Sequence, residues 1–228
     1  MTAKILQLVN SAFFGLSRHV SSPEQAVVLL GLNTIKTLVI STQIFSDFQE
    51  KGAPADRLDQ LWTHSLNTAV CAKTVAQKAE ADSIIVDDAF MAGMLHDVGK
   101  LILFQAWPDK ADAVLKRSEE TGDPVWKSEE AVLGTTHGEL GGYLLGVWGL
   151  PDNIVEAVAF HHFPDRCPHR EFSALTAVHA ADLLDYAIHG GPPYQGPNLV
   201  DSTYLQQLQC LGRLKEWKDA CKTVLCGQ

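Results

Sequence analysis

Apolar residues return every three or four positions along nearly the whole chain, which is the period of a helix face and not the alternation of a strand. Polar punctuation cuts the pattern into segments. Ser22-Pro23-Glu24-Gln25 offers an N-cap serine, proline at the first helical position and glutamine at the third, ahead of the apolar run from Ala26 to Leu30. A helix begins there. Asn33 is placed to cap the next, in which Ile35, Leu38, Val39 and Ile44 share a face. Asp56 caps a long helix reaching towards Glu80, with Leu58, Leu61, Trp62, Leu66, Ala69 and Val70 as its buried stripe. A further helix covers about 88–95 and closes near Gly99, and others fit 111–119, 124–133, 137–147, 152–160 and 172–188.

Residues 190–197 read Gly-Gly-Pro-Pro-Tyr-Gln-Gly-Pro, a composition that holds no regular element and marks a loop or linker. Two short helices follow, near 202–209 and 213–225. No alternating strand pattern of useful length and no internal repeat appears. The expected fold is therefore all-α, with a helical domain over 1–190 and a loop and helical tail over 191–228 packed on it.

Composition changes this picture little. Of 228 residues, 46% are hydrophobic and 20% charged, as in ordinary globular chains, and the length suffices for a sizeable core. The formal charge is −9, and no stretch gathers Lys and Arg into the stripe that a duplex backbone requires. Duplex nucleic acid is excluded as a partner. A small anionic substrate is not, because a bound metal ion reverses the local field. Five cysteines without a CxxC pair read as reduced thiols in a cytoplasm. The apolar start is interrupted by Gln7, Asn10 and Ser11, which argues against a signal peptide, and no run reaches the length of a membrane span.

Candidate chemistry lies in the histidines and aspartates. His64 falls on the long helix, His96-Asp97 at a helix end, His137 at a helix start, His161-His162 at another helix end and Asp182 within a late helix. Helices meeting in a bundle are able to project such side chains to one point. Taken singly each is more often a packed or capping residue, so the ordered set carries the weight. No Gly-rich phosphate loop and no serine or cysteine triad competes with it. Trp62, Trp107, Trp126, Trp148 and Trp217 read as core or interface packing. Glu129 and Glu130 read as a solvated face, and His179 as an ordinary helical histidine, although each lies close enough in sequence to support a ligand.

The order His64, His96-Asp97, His137, His161-His162, Asp182 resembles the HD superfamily of metal-dependent phosphohydrolases. The stretches Leu8-Val9-Asn10-Ser11-Ala12-Phe13-Phe14-Gly15, Ser22-Pro23-Glu24-Gln25-Ala26-Val27-Val28-Leu29-Leu30-Gly31-Leu32 and Met94-Leu95-His96-Asp97-Val98-Gly99-Lys100 resemble one branch of it, the HDOD output domains of bacterial signalling proteins. Trp148-Gly149-Leu150-Pro151 ahead of His161-His162 is similar too. The resemblance implies an HD-type helical bundle in which His64, His96, Asp97 and Asp182 hold one metal ion. It also implies that Asp97 bridges to a second ion held by His137, His161 and His162. Lys100 would contact phosphate or help protonate a leaving oxygen, making Lys100 and Asp97 the catalytic pair of an active member. Imidazole and carboxylate donors suit one or two divalent transition metal ions such as Fe, Mn, Ni, Zn or Co.

Departures qualify the match. Phe163-Pro164-Asp165-Arg166-Cys167-Pro168 stands where the related HD-GYP phosphodiesterases carry Glu and a Gly-Tyr-Pro loop, and Gln60 stands where some relatives place a Glu for a third ion. The family's domain also carries helices ahead of the segment resembling residues 4–15, so Met1 is expected to be an internal start behind a receiver or sensory module. Two functions follow from the resemblance. One is a signalling output domain that retains the metal site and relays an upstream input to a protein partner. The other is an active metal-dependent phosphohydrolase acting on a nucleotide or cyclic dinucleotide.

Overall fold

A computed structural model describes the chain except residues 1, 12, 13, 15, 17, 18, 51–53, 190–199, 227 and 228. The stretch 190–197, expected as a linker, lies outside the described residues, as does part of the Leu8 to Gly15 motif. The described residues are helical, without strands: α1 (Thr2–Val9), α2 (Pro23–Leu30), α3 (Leu32–Glu50), α4 (Ala55–Lys78), α5 (Ser83–Leu95), α6 (Val98–Ala106), α7 (Pro108–Thr121), α8 (Val125–Leu133), α9 (His137–Val147), α10 (Asp152–Phe160), α11 (Ala174–His189), α12 (Ser202–Gln207) and α13 (Leu214–Cys226). No single helix among them is long and apolar enough to cross a membrane.

One start follows its expected signal. Ser22 caps α2 by accepting from the Gln25 N–H, with Pro23 at the first position. Other starts differ. Asn33 lies inside α3 and donates to Asp87 Oδ2 at 2.8 Å, tying α3 to α5 in place of capping. The long helix begins at Ala55 behind Pro54, so Asp56 sits in its first turn, where a carboxylate complements the helix dipole. The helix expected over 88–95 starts at Ser83, because Asp82 accepts from the Ile84 N–H at 2.8 Å. It is followed by the separate helix α6, which restarts after a break of only two residues, His96 and Asp97.

The centre of the fold is α4, which packs against α5, α11 and α13, while α10 bridges α5, α9 and α11. Leu61, Leu101 and Leu145 are completely buried in the main core, each contributing roughly 1.5–3 kcal/mol relative to an exposed position. A second apolar cluster joins Ile5, Val9, Val20, Ala26, Ile35 and Leu38 of the amino-terminal helices and loop to Leu66, Ala69, Phe90 and Met94 of α4 and α5. The helix pair α4 and α5 is thus covered on both sides. At the carboxyl end, Trp217 and Cys221 of α13 are fully buried.

Two close approaches set the geometry around the doublet. A Cβ on Gly93 would stand 2.8 Å from Ala69 Cα, holding α5 against α4. One on Gly99 would overlap the His137 carbonyl oxygen, so only glycine lets the first turn of α6 meet the start of α9.

Candidate metal centre

His96 and Asp97 occupy the two-residue turn between α5 and α6. His64 reaches them from the middle of α4 and Asp182 from α11. His137 is the first residue of α9, fixed by a capping box in which Thr136 and Glu139 exchange bonds. His161 and His162 follow the last turn of α10. All seven residues that the sequence singles out as metal ligands come together, along with Lys100, whose Nζ lies 2.7 Å from Asp97 Oδ2.

Imidazole orientation is fixed from outside. His96 Nδ1 donates to the Gly93 carbonyl at 2.8 Å, and His161 Nδ1 to the Val158 carbonyl at 2.7 Å. His64 Nδ1 donates to Asp185 Oδ2 at 2.7 Å, and His137 Nδ1 to Glu129 Oε2 at 2.7 Å. With the proton held on Nδ1, each ring turns an Nε2 lone pair inward, an arrangement typical of ligating histidines. Those nitrogens face one another and His162: Nε2 of His64 is 3.1 Å from that of His96, and Nε2 of His137 is 3.3 Å from that of His161 and 3.0 Å from that of His162.

Asp97 stands between the two groups. Its Oδ2 lies 3.4 Å from His96 Nε2 and 3.7 Å from His64 Nε2, while Oδ1 lies 3.1 Å from His137 Nε2 and 3.9 Å from His161 Nε2. Asp182 closes the ring, Oδ1 at 3.3 Å from His64 Nε2 and Oδ2 at 3.9 Å from His162 Nδ1.

Converging lone pairs repel unless a positive charge, either a proton or a metal ion, lies among them, and the carboxylates around them favour one. Among the described residues the buried ionisable set is Asp97, Glu129, Asp182 and Asp185 against Lys100 alone, apart from histidines, thiols and Tyr204. Burial opposes charge on all of them. Even so, burial notwithstanding, the neighbouring His96 and Lys100 hold the Asp97 carboxyl well below the usual carboxylate range. The bond to His64 does the same for Asp182. Against its own desolvation, His64 is raised to about 9 by Asp182 and Asp185. Burial and the neighbouring histidines instead push His161 and His162 well below the ordinary imidazole value. Against its own desolvation His137 is likewise raised by Glu129 and Asp97, so the pocket favours positive charge beside its carboxylates and neutral imidazole donors at His96, His161 and His162, a set that fits divalent transition metal ions. Three overlapping donor groups are formed here, His64 with His96 and Asp97, His137 with His161 and His162, and His96 with His161 and Asp182.

Two members of this arrangement correct the sequence reading. Glu129 is buried, accepting from both the backbone N–H and Nδ1 of His137, because the end of α8 turns directly into α9. It is no solvated face. Asp185 is the partner of His64 and carried one faint signal, its place one turn beyond Asp182 on the same helix. His179 supports the centre at a remove, donating Nδ1 to the His161 carbonyl and accepting at Nε2 from the Asp201 N–H. Of the tryptophans, Trp217 is a core residue, Trp107 and Trp148 are exposed, and Trp126 stacks on His162 with ring centroids 6.2 Å apart.

Comparison with known proteins places these features in a family. The sequence profile of the HDOD domain matches residues 1–164, a span that holds every ligand candidate except Asp182. An uncharacterized protein of Treponema pallidum (strain Nichols) is 26% identical over 195 residues, which is 86% of this chain and 37% of that protein. The chain thus spans little over a third of that relative's length. Among solved structures, an HDOD domain protein of unknown function from Geobacter sulfurreducens superposes with a TM-score of 0.76 at 23% identity, covering 98% of this chain and 81% of that one. A Marinobacter aquaeolei VT8 protein provisionally assigned to signal transduction gives 0.74 at 19% identity, covering 99% of this chain and 51% of that one. On the family match and this shared helical fold, the chain belongs to the HDOD domain family.

Proposed function

We propose that this chain is a signal-transduction output domain in which a buried metal centre fixes the arrangement of the helices and their outer surfaces pass an upstream input to a protein partner. One observation carries the reading: the donors are shut off from solvent. Side-chain exposure is 10% at His162 and no more than 4% at the other six ligand candidates, whereas a catalytic metal ion has to keep a coordination position that substrate can reach. His64, His96, Asp97 and Asp182 would hold one ion, and His137, His161 and His162, with Asp97 between, a second. When bound, the metal supplies the positive charge that the buried carboxylates call for and cross-links helices distant in sequence.

The chain's own residues prepare that role. Asp185, Glu129 and the carbonyls of Gly93 and Val158 hold the rings with Nε2 inward. Trp126 covers His162 from outside. The upstream input enters through a further module, a reading supported by the relatives that extend well beyond the matched region. Elemental analysis of protein purified without chelator, together with a panel of nucleotides and cyclic dinucleotides, tests it. Bound Fe, Mn, Ni, Zn or Co without turnover is the expected result, and hydrolysis abolished by His96→Ala would overturn it.

A second reading, a metal-dependent phosphohydrolase, is favoured by Lys100. Its ammonium is buried beside Asp97, a position from which it is able to neutralise a phosphate oxygen or protonate a leaving group. Turnover of a phosphodiester that falls on Lys100→Met while metal content holds would establish this reading.

A further inference from the structure

Outside the buried centre, a second and chemically different donor cluster lies beside α10. Glu156 projects from the middle of that helix, and Cys167 and His169 follow the short turn Pro164–Arg166. Glu156 Oε2 lies 2.9 Å from His169 Nδ1 and 3.8 Å from Cys167 Sγ. One donor atom from each of the three falls within 4.8 Å of the others.

We propose that Glu156, Cys167 and His169 form a zinc-class metal site, with three protein ligands and a fourth position open to solvent. Thiolate, imidazole and carboxylate together are the donors that zinc takes, and the sulfur separates this site from the all-nitrogen-and-oxygen centre nearby. The cluster is graded from inside to outside. Cys167 is 2% exposed, the Glu156 side chain 29% and that of His169 70%. A sulfur anchored in the wall with an imidazole at the rim leaves a route for an ion to arrive from solvent. The Cys167 thiol donates to Glu156 Oε2, which turns the sulfur towards the other donors. Beside the site runs a cleft of about 640 Å³ lined by Asp152, Asn153, Glu156, His169 and Arg170 among others, so a fourth ligand has room.

The placement links the site to the fold. An ion there would pin residues 164–169 to α10, the helix whose end carries His161 and His162. The buried centre has no sulfur donor, so a spectroscopic probe separates the two.

Co²⁺ is titrated into the full chain, and a thiolate-to-cobalt charge-transfer band in the near ultraviolet is followed, with Zn²⁺ added to displace it. The band is expected in the wild type and in Cys226→Ser, and absent from Cys167→Ser. Loss of a mere ligand partner already costs a metal site about 10–100-fold in affinity, so His169→Ala is expected to weaken Co²⁺ binding at this site at least about tenfold. His169 is exposed, so that variant folds even where a change at buried Cys167 does not. No band in the wild type, a band that survives Cys167→Ser, or unchanged affinity in His169→Ala would overturn the assignment. The band is independent of whether His96 and its neighbours hold metal.

Discussion

Asp185 and His64 are 121 residues apart in the chain and 2.7 Å apart in the fold, the Asp185 Oδ2 accepting from His64 Nδ1. The other carboxylate oxygen lies 2.7 Å from His189 Nδ1, so the side chain is gripped from both ends. Asp185→Asn keeps the shape and removes the charge that orients the ring and strengthens Nε2 as a donor. Metal affinity is expected to fall about 10–100-fold, read by competition with a chromogenic chelator. Unchanged affinity would show that His64 is not a ligand.

Chelation should destabilise the domain. Without an ion the four buried carboxylates are balanced only by the histidines beside them and by Lys100, the one buried ammonium among the described residues. A ligand present at about 100 times its dissociation constant stabilises by about 2.7 kcal/mol, which for a chain of this size is about 5–10 °C in melting temperature. Calorimetry before and after removal of the metal checks this, and re-addition should restore the lost degrees.

Gly99→Ala tests the meeting of α6 and α9. The added methyl overlaps the His137 carbonyl oxygen and backbone must move, at a cost of about 1–3 kcal/mol. Gly212→Ala meets nothing within 4 Å and is expected to stay within about 0.5 kcal/mol of the parent. Thermal melts of the two variants by circular dichroism give the comparison.

Trp217→Ala should unseat the carboxyl-terminal helix. Trp217 is completely buried in the main core, and α13 packs on α4 and α11. Truncation of such a residue costs about 3–5 kcal/mol, measurable by denaturant titration.

The convergence of the seven candidate residues was legible because its signal is local in type and ordered in sequence: a His-Asp doublet ending a helix, a histidine pair ending another, single histidines and an aspartate besides. Its supports were less so. Glu129 looks like half of an exposed acidic pair, and only the docking of α8 onto the start of α9 buries it beside His137. Asp185 lacks any motif, since its role exists only once α11 lies against α4. Helix boundaries failed where a tertiary contact outbid a local cap, as at Asn33, which spends its side chain on Asp87. The separate helix α6 is hidden in the sequence because Gly99, which reads as a helix stop, lies inside its first turn, where the close approach of His137 requires a glycine.

Donors for the centre come from α4, the turn between α5 and α6, α9, the end of α10 and α11. Any ion seated there leaves only when two of these elements part, so its dissociation rate is a clock for how often the domain opens. A binding event elsewhere on the molecule that loosens α10 against α11 would register as faster metal exchange, well before any change in average shape became visible.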